Sequence, residues 1–332
     1  MRARCSGANR LVGGILGRRI LGRRLVLLIA VFLIAGGTHA AAADDAPDRG
    51  ARLAQRAEGN QGAARAAQSS EAAAPKAHIV SLGLWGLQNL FRTEANQAAA
   101  VLRAYYGRGG QVVVKANTPT TAVVTSAALQ AALRDVGAQM NREQDLLVLV
   151  LTSHGSPDGI GIRTRRHGEM LTPSQLRQYL QETGAANKVV IISACYSGIF
   201  SSLADAHTLV ITAADATHPS FGCSDKANMT FFGELFFNGS VPERATLTDA
   251  FAHARGQIKR LEDELCTDQS RKAAGACNSN PQISGGEAFA GSLRAAPVGA
   301  AARKQLQLSQ SRQKFCKQAG LTARVSACKR GA

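Results

Sequence analysis

Aromatic residues are scarce in this chain, at 5% of its length, and there is one Trp. The formal net charge is +16, but seven Arg and no acid lie in residues 1–43, and nine Lys or Arg and no acid lie in residues 291–332. The middle of the chain is therefore neutral. Nucleic-acid binding needs a basic face and commonly aromatic rings for base stacking. No RNA- or DNA-binding motif is present, so we expect no nucleic-acid partner.

Long apolar segments are also missing, apart from one near the beginning of the chain. Residues 25–35 are apolar, follow a cluster of arginines and precede the small residues 36–43. This order is typical of an export signal, and the apolar part is too short to span a bilayer comfortably. We expect residues 1–43 to be a signal peptide of a periplasmic or secreted protein, with no membrane span after cleavage. An uncleaved membrane anchor is the alternative interpretation.

Cysteines are few, seven in all, and they match no zinc-site spacing, so we expect no metal and no cofactor. Export permits disulfides, and Cys5 belongs to the signal. Two pairs are close in sequence and flank polar stretches, which predicts bridges Cys266–Cys277 and Cys316–Cys328. Cys195 and Cys223 remain, and a bridge between these two stays an open alternative.

After the predicted signal peptide, the composition divides the chain into three further parts. Residues 44–75 have almost no large apolar side chain and are predicted to be a disordered linker. Residues 76–290 alternate apolar strand patterns with helical ones, which predicts an α/β sandwich with a mostly parallel sheet between helices. Residues 291–332 form a separate basic appendage.

The expected elements of the folded part follow from periodicity and capping residues. The predicted strands are residues 78–84, 111–115, 145–153, 188–194 and 209–212. The predicted helices are residues 94–106, 126–140 with Ser126 as its cap, one beginning at Thr172-Pro173, 197–204, 228–237 and 246–266. Residues 155–168 are predicted to be a loop or hairpin.

Two unbroken apolar runs each end in a reactive side chain. The first, from Leu146, ends at His154-Gly155, and the second, from Val189, ends at Cys195. Runs without alternation suit strands that are buried on both faces of a parallel sheet. Neighbouring strands would place His154 and Cys195 side by side at the carboxyl edge, where α/β sheets bind ligands.

An imidazole beside a thiol is suited to nucleophilic acyl transfer. Cys195 is the candidate nucleophile, and His154 is the candidate base that takes the thiol proton and later protonates the leaving amine. The backbone N–H groups of Gly155 and Cys195 are the candidate oxyanion hole.

These blocks are similar to those of the legumain family of cysteine endopeptidases, in the caspase-like superfamily. The resemblance rests on Ser153 to Ser156 and Ala194 to Gly198, and continues through the blocks Ser220 to Cys223, Thr230 to Glu234 and Pro281 to Ile283. It covers residues 78–290 and is strongest with the bacterial, exported members. It implies a caspase-like three-layer sandwich, a Cys195–His154 dyad and a covalent acyl-enzyme.

The resemblance also implies a charged pocket for the residue before the cleaved bond. Arg92 and Glu234 match two members of that pocket, which makes them candidate substrate-binding residues. Tyr196 stands where legumains have an acidic residue after the cysteine, which weakens a strict preference for Asn or Asp. Family members often have an Asn as third catalytic residue; the matching position here is Leu90, with Asn89 one residue away.

The predicted function is hydrolysis of peptide bonds through a thioester, with a protein or peptide as substrate. The alternatives are a transamidase or ligase that uses the same dyad, and a catalytically inactive interaction module. The pattern predicts no particular oligomeric state.

Overall fold

The computed structural model describes residues 75–107, 109–222, 227–266 and 277–289. The predicted signal peptide, the linker up to residue 74 and the basic appendage lie outside these ranges. So do Cys223 and the predicted Cys316–Cys328 bridge. Within these ranges no helix is both long and apolar enough to cross a membrane.

A six-stranded sheet forms the centre of the domain. Its strands are β1 (Ala77–Gly83), β2 (Val112–Ala116), β3 (Leu146–Thr152), β7 (Asn187–Ser193), β8 (Thr208–Thr212) and β9 (Gln282–Ser284). The order across the sheet is β2-β1-β3-β7-β8-β9. All neighbours are parallel except β8 and β9.

A second sheet of three short antiparallel strands follows β3 directly. It contains β4 (Gly155–Ser156), β5 (Gly159–Arg163) and β6 (Gly168–Leu171). Four longer helices complete the domain: α1 (Asn89–Tyr106), α2 (Ser126–Gln139), α3 (Pro173–Glu182) and α4 (Leu247–Leu265). The chain between β7 and β8 forms a 3-10 helix, Ser197–Leu203.

The central strands are apolar on both sides because each side has its own core. In β3, Val148 and Val150 belong to the core that also contains side chains of α1 and α4. Leu149 and Leu151, which point the other way, pack with side chains of α2 and α3. Helices therefore cover both faces, and the expected three-layer α/β sandwich with a mostly parallel sheet is confirmed.

Local differences from the expected elements have physical reasons. Helix α1 begins at Asn89, five residues before its predicted start, because Leu90 and Phe91 already pack into the interior. Thr125, and not Ser126, caps α2, since its side chain accepts the N–H of Ala128 at 3.1 Å.

Three further segments have little periodicity of their own. Residues 155–168, predicted as a loop or hairpin, contain the antiparallel hairpin of β4 and β5 and the first residue of β6, which agrees with the hairpin. The predicted helix 228–237 is an α-helical turn, Phe231–Gly233, followed by a π-helical segment, Glu234–Asn238. Strand β9 was not expected; with three residues, it depends on β8 for its backbone partners.

Candidate active site

The register of β3 against β7 brings the two candidate catalytic residues, His154 and Cys195, to the same edge of the sheet. Thr152 pairs with Ser193, and these are the last residues of the two strands. The Ser153 N–H continues the ladder by donating to the Ser193 carbonyl at 3.1 Å. His154 and Cys195 each follow two residues after the Thr152–Ser193 pair, so the sheet places them together at its carboxyl edge. Both residues are half-buried.

Gly155 lies directly against the backbone of Cys195. A Cβ atom at position 155 would come within 2.1 Å of the Cys195 carbonyl oxygen, so a side chain does not fit. The structure thus packs together the two backbone segments whose N–H groups are the candidate oxyanion hole.

The imidazole of His154 lies between two aromatic rings. The ring centroids of Trp85 and Phe91 are 4.8 and 5.0 Å from that of His154, both in edge-to-face contact. The His154 Nε2 atom makes a short hydrogen bond with Oε1 of Gln88. An amide oxygen accepts from an N–H, so this contact favours the tautomer that leaves Nδ1 as the acceptor.

Gln88 is a site residue that the sequence did not indicate. It occupies the position before α1, where Ser, Thr, Asp or Asn usually caps a helix, but its side chain does not cap the helix. The side chain reaches His154 instead. The only signal in the sequence was weak. Gln88 is a poor capping residue, and it stands at the start of a helix that packs near the strand before His154.

The sulfur of Cys195 contacts the chain segment that follows β8. The Ser220 N–H donates to Cys195 Sγ at 3.2 Å, and the sulfur lies 3.5 Å from the Ser220 carbonyl oxygen. Tyr196, the next residue, has φ of 55°, a left-handed conformation that is uncommon for a residue with a side chain. Such strain is frequent at active sites, where the surrounding structure holds it.

A buried carboxyl group lies behind the two strand ends. Glu94 of α1 is fully buried and accepts the Thr152 hydroxyl at 3.0 Å and the Thr230 N–H at 2.8 Å. Burial raises the pKa of Glu94, and hydrogen bonds from Ser193 and Thr230 oppose that rise. Glu94 therefore ties the ends of β3 and β7 to the helix that begins after Thr230.

The predicted substrate-binding residues lie in different surroundings. Arg92 is exposed in the first turn of α1, one turn after Gln88. Glu234 is 5% exposed, and its Oε2 accepts the side-chain N–H of Asn238 at 2.8 Å. The structure thus presents Arg92 to solvent near the histidine and holds Glu234 in the interior. Asn89 is exposed, with its amide 3.5 Å from the Thr93 hydroxyl, and Leu90 is buried.

The predicted bridge between Cys266 and Cys277 is present, with the two Cα atoms 5.8 Å apart. It joins the end of α4 to the segment that leads into β9. Among the residues that the structure describes, no group of three or more His, Cys, Asp or Glu side chains could hold a metal ion.

A parallel α/β sheet with a histidine and a cysteine at adjacent strand ends has the layout of a cysteine peptidase. Residues 111–277 match the model of the Peptidase C13 family. The chain belongs to this family, which confirms the legumain-like resemblance.

Two solved structures are similar to the chain over much of its length. A caspase-1 structure from Spodoptera frugiperda matches at 14% identity with a TM-score of 0.43, covering 64% of this chain and 86% of the other. A structure described as pro-sf-caspase-1 matches at 12% identity with a TM-score of 0.44, covering 64% and 91%. No curated protein matches the chain.

Proposed function

We propose that this protein is a cysteine endopeptidase that hydrolyses peptide bonds through a Cys195–His154 dyad. The observation that supports it most is the β3–β7 register, which sets Thr152 against Ser193 and so aligns the two residues that follow. The membership of the Peptidase C13 family supports the same reaction class.

The proposed reaction begins with transfer of the Cys195 proton to His154. The thiolate attacks the carbonyl carbon of the scissile bond, and the N–H groups of Gly155 and Cys195 stabilise the resulting oxyanion. The imidazolium then protonates the leaving amine as the C–N bond breaks, which leaves a thioester. His154 next takes a proton from water, and hydroxide attack on the thioester releases the acid and restores the thiol.

The proposed substrate is a protein or peptide, and Arg92 is the proposed contact for its side chain before the cut. Its exposure and its place one turn after Gln88 favour this role. Glu234 is buried, so a role of its carboxylate in substrate binding would require a change in the packing around Asn238. We also propose export to the periplasm or beyond the cell, on the basis of residues 1–43.

The test is cleavage of a diverse peptide library by the purified protein, with Cys195→Ser as the matched control. We expect cleavage by the wild type and none by Cys195→Ser. Products joined to an added amine would show transfer in place of hydrolysis. Folded wild-type protein that cleaves no peptide would contradict the proposal and favour an inactive interaction module.

A further inference from the structure

The loop after β8, residues 213–222, is attached to the nucleophile and its neighbours at three points. The Ser220 N–H donates to Cys195 Sγ at 3.2 Å. The Tyr196 N–H donates to the His218 carbonyl at 3.0 Å, and the Ala214 N–H donates to the Ser197 hydroxyl at 3.0 Å. The placement of Cys195 and of the strained Tyr196 therefore depends on the shape of this loop.

The loop also packs tightly on the 3-10 helix that follows the nucleophile. A Cβ atom at Gly198 would lie 2.4 Å from the backbone of Asp215 and Ala216. Backbone meets backbone here with no side chain between them. A displacement of the loop at Asp215 would therefore be transmitted to residues 196–198 rather than absorbed by a flexible side chain.

The carboxylate of Asp215 organises the loop. Its Oδ1 accepts the Thr217 N–H at 2.8 Å, the Thr217 hydroxyl at 3.0 Å and the His218 N–H at 2.9 Å. The His218 ring nitrogen Nδ1 lies 2.8 Å from both carboxylate oxygens. The Asp215 side chain therefore fixes the turn that places the His218 carbonyl and the Ser220 N–H against Cys195 and Tyr196.

A second segment of the chain, residues 277–280, holds the Asp215 carboxylate from the other side. The Asn280 amide donates to Asp215 Oδ2 at 2.9 Å, and the Asp215 N–H donates to the Ser279 carbonyl at 2.9 Å. This segment is itself held to α4, because the Ser279 N–H donates to Glu262 at 3.0 Å and Cys277 is bridged to Cys266.

We infer that Asp215 is a positioning residue for the nucleophile, which holds the Ser220 N–H on the Cys195 sulfur and the His218 carbonyl on the Tyr196 N–H. The inference rests on the proposed function, since it assigns Asp215 a role in the reaction of Cys195. The Ser220 N–H that donates to the sulfur favours the thiolate, the reactive form of cysteine, while the Ser220 carbonyl accepts from the thiol at the longer distance of 3.5 Å and favours the protonated form.

The ionisation of Asp215 agrees with this role. Burial by itself raises the pKa of Asp215, but hydrogen bonds from Asn280, Thr217 and His218 outweigh it and lower the pKa to about 2. The side chain is therefore an acceptor-only carboxylate at neutral pH, as the surrounding donors require.

The test compares four variants with the wild type. Asp215→Asn replaces one acceptor oxygen with a donor, which then faces the Asn280 amide. Asn280→Asp sets two carboxylates against each other, and the double variant Asp215→Asn/Asn280→Asp restores a donor–acceptor pair with the roles exchanged. Asp205→Asn is the matched control, because Asp205 accepts the His207 N–H at 2.8 Å in a similar turn before β8, at the opposite end of that strand.

Two measurements are made on each variant: kcat and KM on a cleaved peptide, and the rate at which iodoacetamide alkylates Cys195, resolved by mass spectrometry. We expect Asp215→Asn to lower both kcat and the alkylation rate about 10-fold, with KM within about twofold, since a hydrogen bond to a charged group is lost. We expect the double variant to recover most of both rates and Asp205→Asn to match the wild type.

Unchanged kcat and alkylation in folded Asp215→Asn would overturn the inference while leaving the proposed peptidase intact. Equal loss in the single and double variants would also overturn it, because a general structural role predicts no rescue. Should Asp215→Asn fail to fold, the exposed substitution Asn280→Ala tests the same contact, and unchanged Cys195 alkylation there would contradict it. The alkylation rate needs no peptide cleavage, so it tests Asp215 even if the proposed function fails.

Discussion

At the residue scale, the candidate site depends on three contacts around the two candidate catalytic side chains, His154 and Cys195. Gly155 gives the close backbone approach to Cys195, Gln88 holds one nitrogen of His154, and Ser220 donates to the sulfur. Each contact comes from a different part of the chain. Each can therefore be removed by a single substitution with its own expected effect.

Substitution of Gly155 tests the backbone contact at the candidate oxyanion hole. Since a Cβ atom would lie 2.1 Å from the Cys195 carbonyl oxygen, Gly155→Ala must push the two segments apart. We expect kcat to fall about 100-fold or more, the usual effect of losing one oxyanion donor. Steady-state kinetics on folded protein checks this, and Gly256→Ala on the surface of α4 is the control. A Gly155→Ala enzyme with wild-type kcat would contradict it.

Substitution of Gln88 tests how His154 is oriented. We expect Gln88→Ala to lower kcat about 10-fold or more with little change in KM, because the imidazole loses the partner of Nε2 while the substrate contacts remain. Gln88→Glu should retain more activity than Gln88→Ala, since it keeps an acceptor oxygen. Gln130→Ala is a matched control, because Gln130 also bonds through its side chain, to Glu182 on the surface. Equal kcat in wild type and Gln88→Ala would exclude the orienting role.

Arg92 is the residue with which the substrate preference can be tested. We expect Arg92→Ala to raise KM for peptides with an acidic or amide side chain before the cut, by about 10-fold, and to leave kcat nearly unchanged. Arg103 is exposed on the same helix, about 16 Å further along. Arg103→Ala should therefore behave as the wild type. A similar KM change in both variants would indicate a general charge effect.

At the element scale, the site is formed where secondary-structure elements end. β3, β7 and β8 end at the same edge of the sheet, and α1 begins beside it. The disulfide joins the end of α4 to the segment that carries Ser279 and Asn280. The segment therefore has a covalent anchor at one end and a strand pairing, β8 with β9, at the other.

Removal of the Cys266–Cys277 bridge should lower the free energy of unfolding of the domain more than it lowers kcat. The bridge spans a sequence separation of 11 residues, for which loop closure predicts about 3 kcal/mol of stabilisation. We expect Cys266→Ser/Cys277→Ser to lower the free energy of unfolding by roughly this amount in urea titrations. A double variant as stable as the wild type would show that the segment is held by its hydrogen bonds alone.

The elements also show which features the sequence could predict. Continuous apolar runs identified β3 and β7 because both faces of these strands are buried, and the same pattern located His154 and Cys195. Residues 155–168 were predicted only as a loop or hairpin, and β9 was not predicted, because these segments are short and lack a continuous apolar run. Gln88, Asp215 and Ser220 were not identified because their roles arise from contacts between distant segments.

At the scale of the whole molecule, buried carboxyl groups make stability depend on pH. Burial raises the pKa of Glu262 to about 7, against opposing hydrogen bonds from Ser279. Burial also raises the pKa of Glu94. The folded state thus keeps protons that the unfolded chain has already released above its ordinary glutamate pKa of about 4.3.

Between about pH 4.5 and about pH 7, the folded state binds more protons than the unfolded chain. The free energy of unfolding is therefore greatest near the acid end of this range and falls as the pH rises through it. We expect Glu262→Gln to reduce this fall by up to about 3 kcal/mol, the amount set by the shift. Thermal unfolding of both proteins between pH 5 and pH 8 measures it, with the exposed Glu264→Gln on the same helix as control. Parallel pH curves for wild type and Glu262→Gln would contradict the assignment.

The central claim is that Cys195 reacts as a thiolate with the help of His154. Its most direct measurement is covalent labelling by a thiol-directed peptidyl probe, with the modified cysteine identified by mass spectrometry. We expect labelling on Cys195 in the wild type and in Cys223→Ala, none in Cys195→Ala, and labelling slowed at least about 100-fold in His154→Ala. Equal labelling of wild type and Cys195→Ala, or labelling of Cys195 at an unchanged rate in His154→Ala, would contradict the account.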